Sequence, residues 1–134
     1  MYRICFAIDL FNGPRDRIAS HKVLNILLNA LVDIDVEYLK DNPQTISIYQ
    51  SGVRYVEEPA GIEDWRDIPT CLRDLKADCE DLSCWRVAEL RRQGIQAIPI
   101  FGFRTLSNGN TVYHIRVQYP DGRIEDPSRI LGMK

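Results

Sequence analysis

The chain has 134 residues, with 19 Asp and Glu against 17 Lys and Arg, a formal net charge of -2 and a sequence pI near 5.7. So even a balance carries no basic field and excludes nucleic-acid binding as the main task. With 45% apolar and 27% charged residues, and no apolar run near the roughly 20 residues of a bilayer span, neither a disordered tail nor a membrane protein is indicated.

In chain order, MYRICFAIDLFNG is an apolar patch broken by Arg3 and Asp9 with no small-residue cleavage site, so it reads as a strand over Arg3 to Phe11 and not as a signal peptide. Without a secretion signal, the four cysteines (Cys5, Cys71, Cys79 and Cys84) are expected as free thiols in a reducing, cytoplasmic compartment. Ile18, Val23, Leu24, Ile26, Leu27 and Leu31 follow at helical spacing, and the pattern breaks at Asn42-Pro43, predicting a helix that packs under a sheet. TISIYQSGVRYVEE predicts one or two short strands. DWRDIPTCLRDLKADC predicts a short helical turn with Pro69 near its first position and Cys71, Leu72 and Leu75 as anchors.

From Cys79 to about Gln93 one amphipathic helix is predicted. Leu82, Trp85, Val87, Ala88 and Leu90 form its apolar stripe, and Glu80, Ser83, Arg86, Glu89, Arg91 and Arg92 can face away. Gly94 supplies the stop, Asp78 an N-cap, and Asp81, three residues on, the second half of a capping box. QAIPIFGFRT, NTVYHIRVQY and RIEDPS read as strands separated by turn signals at residues 107–110 and at Pro120-Asp121-Gly122. A helix feeding an antiparallel sheet is an α+β pattern, and with no repeat or linker the expectation is a single domain over residues 1–134.

Cys79 stands where unpaired helix N–H groups and the positive end of the helix dipole stabilise a thiolate by up to about 1 kcal/mol, and where the same N–H groups could hold an oxyanion. Asp78, Glu80 and Asp81 oppose this, so a cationic partner is required. Of the two histidines, His21 lies inside the first helical pattern, in a surface or packing role. His114 lies on the more polar face of its strand with Val112, Arg116 and Gln118, opposite Tyr113, Ile115, Val117 and Tyr119.

YPDGR suits a three-residue hairpin loop with Gly122 in the left-handed position, which pairs Tyr119 with Arg123, Gln118 with Ile124, Val117 with Glu125 and Arg116 with Asp126. Asp126 then lies diagonal to His114 on the same face, within a carboxylate's reach. A helix-start thiol, a strand histidine and a carboxylate make a nucleophile, base and orienter for acyl transfer through a thioester.

These residues resemble the transglutaminase-like cysteine protease superfamily, whose members share a papain-like core. The resemblance runs over roughly the C-terminal half: Cys79 with Asp81 two residues on, RRQGIQA closing the helix, then YHIRV and EDPS. It implies Cys79 as nucleophile, His114 as base, Asp126 as orienter, and a nucleophile-bearing helix packed on an antiparallel sheet. DCEDLSCWRVAELR and DPSRILGM are most similar to small transglutaminase-like proteins of tailed bacteriophages. The family often has Gly where this chain has Ala77, and an aromatic residue where it has Ile115.

The activity expected from the resemblance is that of a cysteine peptidase, amidase or acyltransferase on peptide or protein amides, with no cofactor. The alternative is a catalytically silent domain serving as a virion structural or assembly protein, whose partners would be phage structural proteins. Trp65 is a candidate oxyanion donor or a packing residue, and Arg73 a weaker oxyanion candidate. Asp81 caps its helix or bonds near the site, and Arg116 orients Asp126, contacts substrate or is solvated. A zinc site built from Cys71, Cys79, Cys84 and His114 is disfavoured, because there is no CxxC pair and Cys79 and Cys84 point different ways on one helix.

Overall fold

The computed structural model describes residues 2–10, 14–59, 63–105, 107–108 and 111–134; of residues 14–19, 104, 105 and 111 it describes only the backbone. Residues 2–10 form no strand: Tyr2, Ile4, Phe6 and Ile8 are exposed and Cys5 is exposed with them, so the expected strand and the place of Cys5 in a sheet are both corrected. Strand propensity needs a ladder partner, and among the described residues none pairs with these; Phe11, the last residue of the expected strand, lies outside the described part.

Helix α1 (Pro14–Asp41) runs 28 residues and ends one residue before Asn42-Pro43. Leu24, Leu28, Leu31, Val32 and Leu39 form its buried side, whereas Ile26, at the expected helical spacing, stays exposed. TISIYQSGVRYVEE folds into a 3₁₀ turn (Ile48–Gln50) and only one two-residue strand, β1 (Arg54–Tyr55). Helix α2 (Ile68–Asp74) starts with Pro69 in its first turn and Asp67 Oδ1 accepting from the Thr70 amide at 3.1 Å. Buried Asp35 of α1 reaches the same end, accepting from the Ile68 amide at 3.0 Å. Leu75 is not an anchor: it takes the left-handed conformation (φ 54°) that ends the helix, and it is exposed. Strand β2 (Lys76–Ala77) then pairs in parallel with β1.

Helix α3 (Cys79–Arg92) carries the capping box that Asp78 and Asp81 predict. Its principal partner is α1, and β4 (Thr111–Gln118) packs on another side. Partners on several sides surround the helix start, which is why Glu80 and Ser83, expected outward, are buried, and Asp81 with them. Buried polar groups must find partners, and Ser83 Oγ donates to the Ile115 carbonyl at 3.0 Å while the Cys84 thiol donates to the Leu28 carbonyl at 3.5 Å. The expected helix under a sheet is instead a helix against α3, sharing with the sheet one core of Leu28, Leu31, Val32, Cys84, Val87, Ile115 and Val117.

Strands β3 (Ile98–Thr105), β4 and β5 (Ile124–Glu125) form an antiparallel sheet in that order. The hairpin register is the expected one: Gln118 pairs with Ile124 and Val117 with Glu125. Tyr119 N–H bonds the Arg123 carbonyl at 2.8 Å, and Gly122 has φ 91°. The strand expected over RIEDPS stops at Glu125, and α4 (Pro127–Ile130) begins with Asp126 as its N-cap. Of the turn expected at residues 107–110, residues 109 and 110 lie outside the described part. The fold is a mixed α+β arrangement.

Candidate active site

The three residues singled out as a triad come from three places: the first residue of α3, the middle of β4 and the N-cap of α4. His114 Nε2 lies 2.8 Å from Asp126 Oδ2. A carboxylate can only accept, so the pair fixes the Nε2–H tautomer and leaves Nδ1 with its lone pair. Asp126 Oδ1 also accepts from the Arg129 amide at 3.4 Å, and the Arg129 guanidinium sits 3.6 Å from Oδ2. Among the described residues it is Arg129, not Arg116, that accompanies Asp126.

The ladder explains how Cys79 reaches β4. In an antiparallel pair, alternate residues aim both N–H and C=O at the same neighbour. The Tyr119 bond to Arg123 therefore aims Val117 and Ile115 toward β5, and β5 ends at Glu125, opposite Val117. The start of α3 covers the backbone of Ile115 left over: Ser83 donates to its carbonyl, and the Cys79 thiol feels its amide.

The thiol itself does not bond to imidazole. It donates to Glu80 Oε2 at 3.4 Å. Cys79 is 8% exposed and Glu80 3%. Burial pushes the Cys79 thiol well up, and the charges of Glu80 and Asp78 push it further, against the Ile115 amide. A helix dipole worth up to about 1 kcal/mol does not offset burial plus two carboxylates. Among the described residues no cation bonds the thiol, and burial with two carboxylates favours its neutral form. Burial likewise drives the Glu80 carboxyl well above the usual range, reinforced by Asp81, Asp78 and Glu63.

The groups that could hold an oxyanion are also engaged. The Cys79 amide donates to Asp78 Oδ1 at 2.7 Å, and Trp65, packed against the core that includes Cys79, donates its indole N–H to Glu63 at 3.2 Å. Arg73 is exposed, with Nε 3.0 Å from Asp74. Asp81 does both things expected of it: Oδ2 accepts from the Asp78 amide at 3.0 Å, and Oδ1 accepts from the Arg66 amide at 2.6 Å, tying the Trp65 loop to the helix start. His21 is exposed and stacks edge-on against Phe101 of β3.

Glu125 is the residue sequence reasoning missed, and Glu80, named there only as an opposing charge, is the thiol's hydrogen-bond partner. Glu125 accepts from Tyr49 and Tyr119 hydroxyls and from Arg86 Nε at 2.6 Å, bolting the residue before Asp126 to α3. Its one sequence signal is its position opposite Val117, on the face that meets α3. Compared with known proteins, the chain matches no protein-family model, no curated protein and no solved structure.

Proposed function

We propose that the chain is a cysteine-dependent acyl-transfer enzyme of the transglutaminase-like kind, acting on peptide or protein amides through a thioester at Cys79. The observation that carries this reading is the His114–Asp126 pair at 2.8 Å, held one residue from Ile115, whose carbonyl accepts from Ser83 of the helix that starts at Cys79. In the reaction His114 Nδ1 takes the thiol proton and the sulfur bonds the amide carbon. The collapsing tetrahedral adduct expels the amine, which leaves with that proton. Water or a second amine then resolves the thioester, giving hydrolysis or cross-linking.

The structure is a resting form for such chemistry, because Cys79 has to exchange Glu80 for imidazole before it can lose its proton. The same features favour a second reading, a catalytically silent domain that docks on phage structural proteins, since thiol, amide and indole are all occupied by carboxylates. Iodoacetamide labelling at Cys79 at neutral pH, read by mass spectrometry in wild type, His114→Ala and Asp126→Asn, separates the two. The enzyme reading expects tenfold or greater slowing in both variants, on the order of what a positioned base contributes at least. Equal rates in all three proteins would leave the docking reading.

A further inference from the structure

We infer that Asp78, Cys79 and Glu80 form a binding site for a thiophilic divalent cation of the zinc class. One sulfur and one oxygen from each carboxyl group lie within 4.8 Å of one another. The Cys79 Sγ to Glu80 Oε2 distance is 3.4 Å. Tetrahedral zinc, with bonds of about 2.3 Å to sulfur and about 2.1 Å to oxygen, sets such a pair about 3.6 Å apart, so this edge of the polyhedron is already in place.

A second observation asks for a ligand independently of that spacing. Glu80 is 3% exposed, and its Oε1 is buried without a hydrogen-bond partner among the described residues. What surrounds it is acidic: oxygens of Glu80, Glu58 and Asp81 also lie within 4.8 Å of one another, and Glu63 faces Glu80 from the Trp65 side. Among the described residues Arg66 is the cation in contact with these carboxylates, and it is committed to Glu58 at 2.6 Å and to Asp81, Asp64 and Asp74 at 3.4 to 3.6 Å. A buried carboxylate oxygen facing other carboxylates is satisfied by a proton or a metal ion, since each neighbour can only accept.

Asp78 can serve without giving up its cap: its carboxylate accepts backbone N–H groups from Cys79, Glu58 and, through the capping box, Asp81, and of the roughly four lone-pair sites on its two oxygens one remains for a metal. Glu63, which faces Glu80, is itself exposed. On binding, the S–H bond breaks, the sulfur lone pair goes to the metal and the proton leaves to water. Occupancy would also withhold the nucleophile from acyl transfer; that consequence rests on the proposed function, whereas the site does not.

The test uses the full chain stripped by a chelator and titrated with Co²⁺ and Zn²⁺. One cobalt per chain is expected, with a thiolate-to-cobalt charge-transfer band that persists in Cys5→Ser and is absent in Cys79→Ser. Glu80→Gln should weaken binding by more than the roughly 10- to 100-fold that follows loss of an outer-shell partner. Absence of the band, or equal affinity in folded Glu80→Gln, overturns the site, as does equal competition by Mg²⁺ or Ca²⁺. Because either variant could fail to fold, a wild-type measurement stands beside them: zinc should slow iodoacetamide labelling of Cys79 at least tenfold and leave exposed Cys5 labelling, and an unchanged Cys79 rate refutes the proposal. A cobalt band in a protein whose Cys79 labelling ignores His114→Ala would keep the metal site and remove the acyl-transfer reading.

Discussion

Glu125→Gln tests how Asp126 is held. The Glu125 carboxylate accepts from Arg86 Nε at 2.6 Å and from the Tyr49 and Tyr119 hydroxyls, and its side chain and that of Arg86 are each only 18% exposed. Hydrogen bonds to a charged group contribute about 1.5 to 3 kcal/mol each. Gln keeps one acceptor oxygen, and Arg86 retains Glu89 at 3.2 Å, so the net loss should be about 2 to 4 kcal/mol. Burial alone would raise this carboxyl, but Arg86, Tyr119 and Tyr49 outweigh it and hold it below its ordinary value. A depressed carboxyl stabilises the fold above the unfolded-state value, roughly 4.3, and that stability disappears as pH falls through the lower folded value. Urea unfolding followed by tryptophan fluorescence should therefore show the full gap between wild type and variant at neutral pH, shrinking below about pH 4. The His114 ring resonances should shift as well, because the strand that leads into Asp126 loosens. A gap under about 0.5 kcal/mol, the range of ordinary surface substitutions, or one that does not change down to acid pH, refutes the idea of a charged hub.

Leu28→Ala removes a fully buried side chain beneath α3 and should cost about 2 to 5 kcal/mol in urea unfolding. Gly122→Ala meets no atom within 4 Å, so its cost is conformational alone, about 1 to 2 kcal/mol for a left-handed residue. Equal stability of that variant would show that the hairpin loop tolerates a side chain at φ 91°.

Local signals were legible because their causes are local. Gly122 dictates a three-residue loop, the loop dictates the register, and the register brings His114 to Asp126. Asp78 and Asp81 specify the start of α3 in the same way. What sequence could not show was how many neighbours each element has. Reading α3 as a helix with one apolar stripe sent Glu80 and Ser83 to solvent, yet contacts from α1 on one side and β4 on another bury both. The chemistry of Cys79 changed for that reason: its helix position favours a thiolate, and its buried acidic surroundings reverse the preference. The alternation of Tyr2, Ile4, Phe6 and Ile8 suits a strand, but pairing is not encoded in the segment itself.

The grip of α1 and β4 on α3 also sets an order of assembly. The Cys84 to Leu28 bond spans 56 positions and the Ser83 to Ile115 bond spans 32. Contacts so distant along the chain slow folding, because loop closure precedes any reward. During synthesis α1 emerges with Leu28 and Val32 uncovered long before α3 exists to cover them. Until the ribosome has delivered the β4 strand, the nascent chain presents a greasy stripe, which makes the interval before release the moment of greatest exposure to aggregation and to chaperone capture.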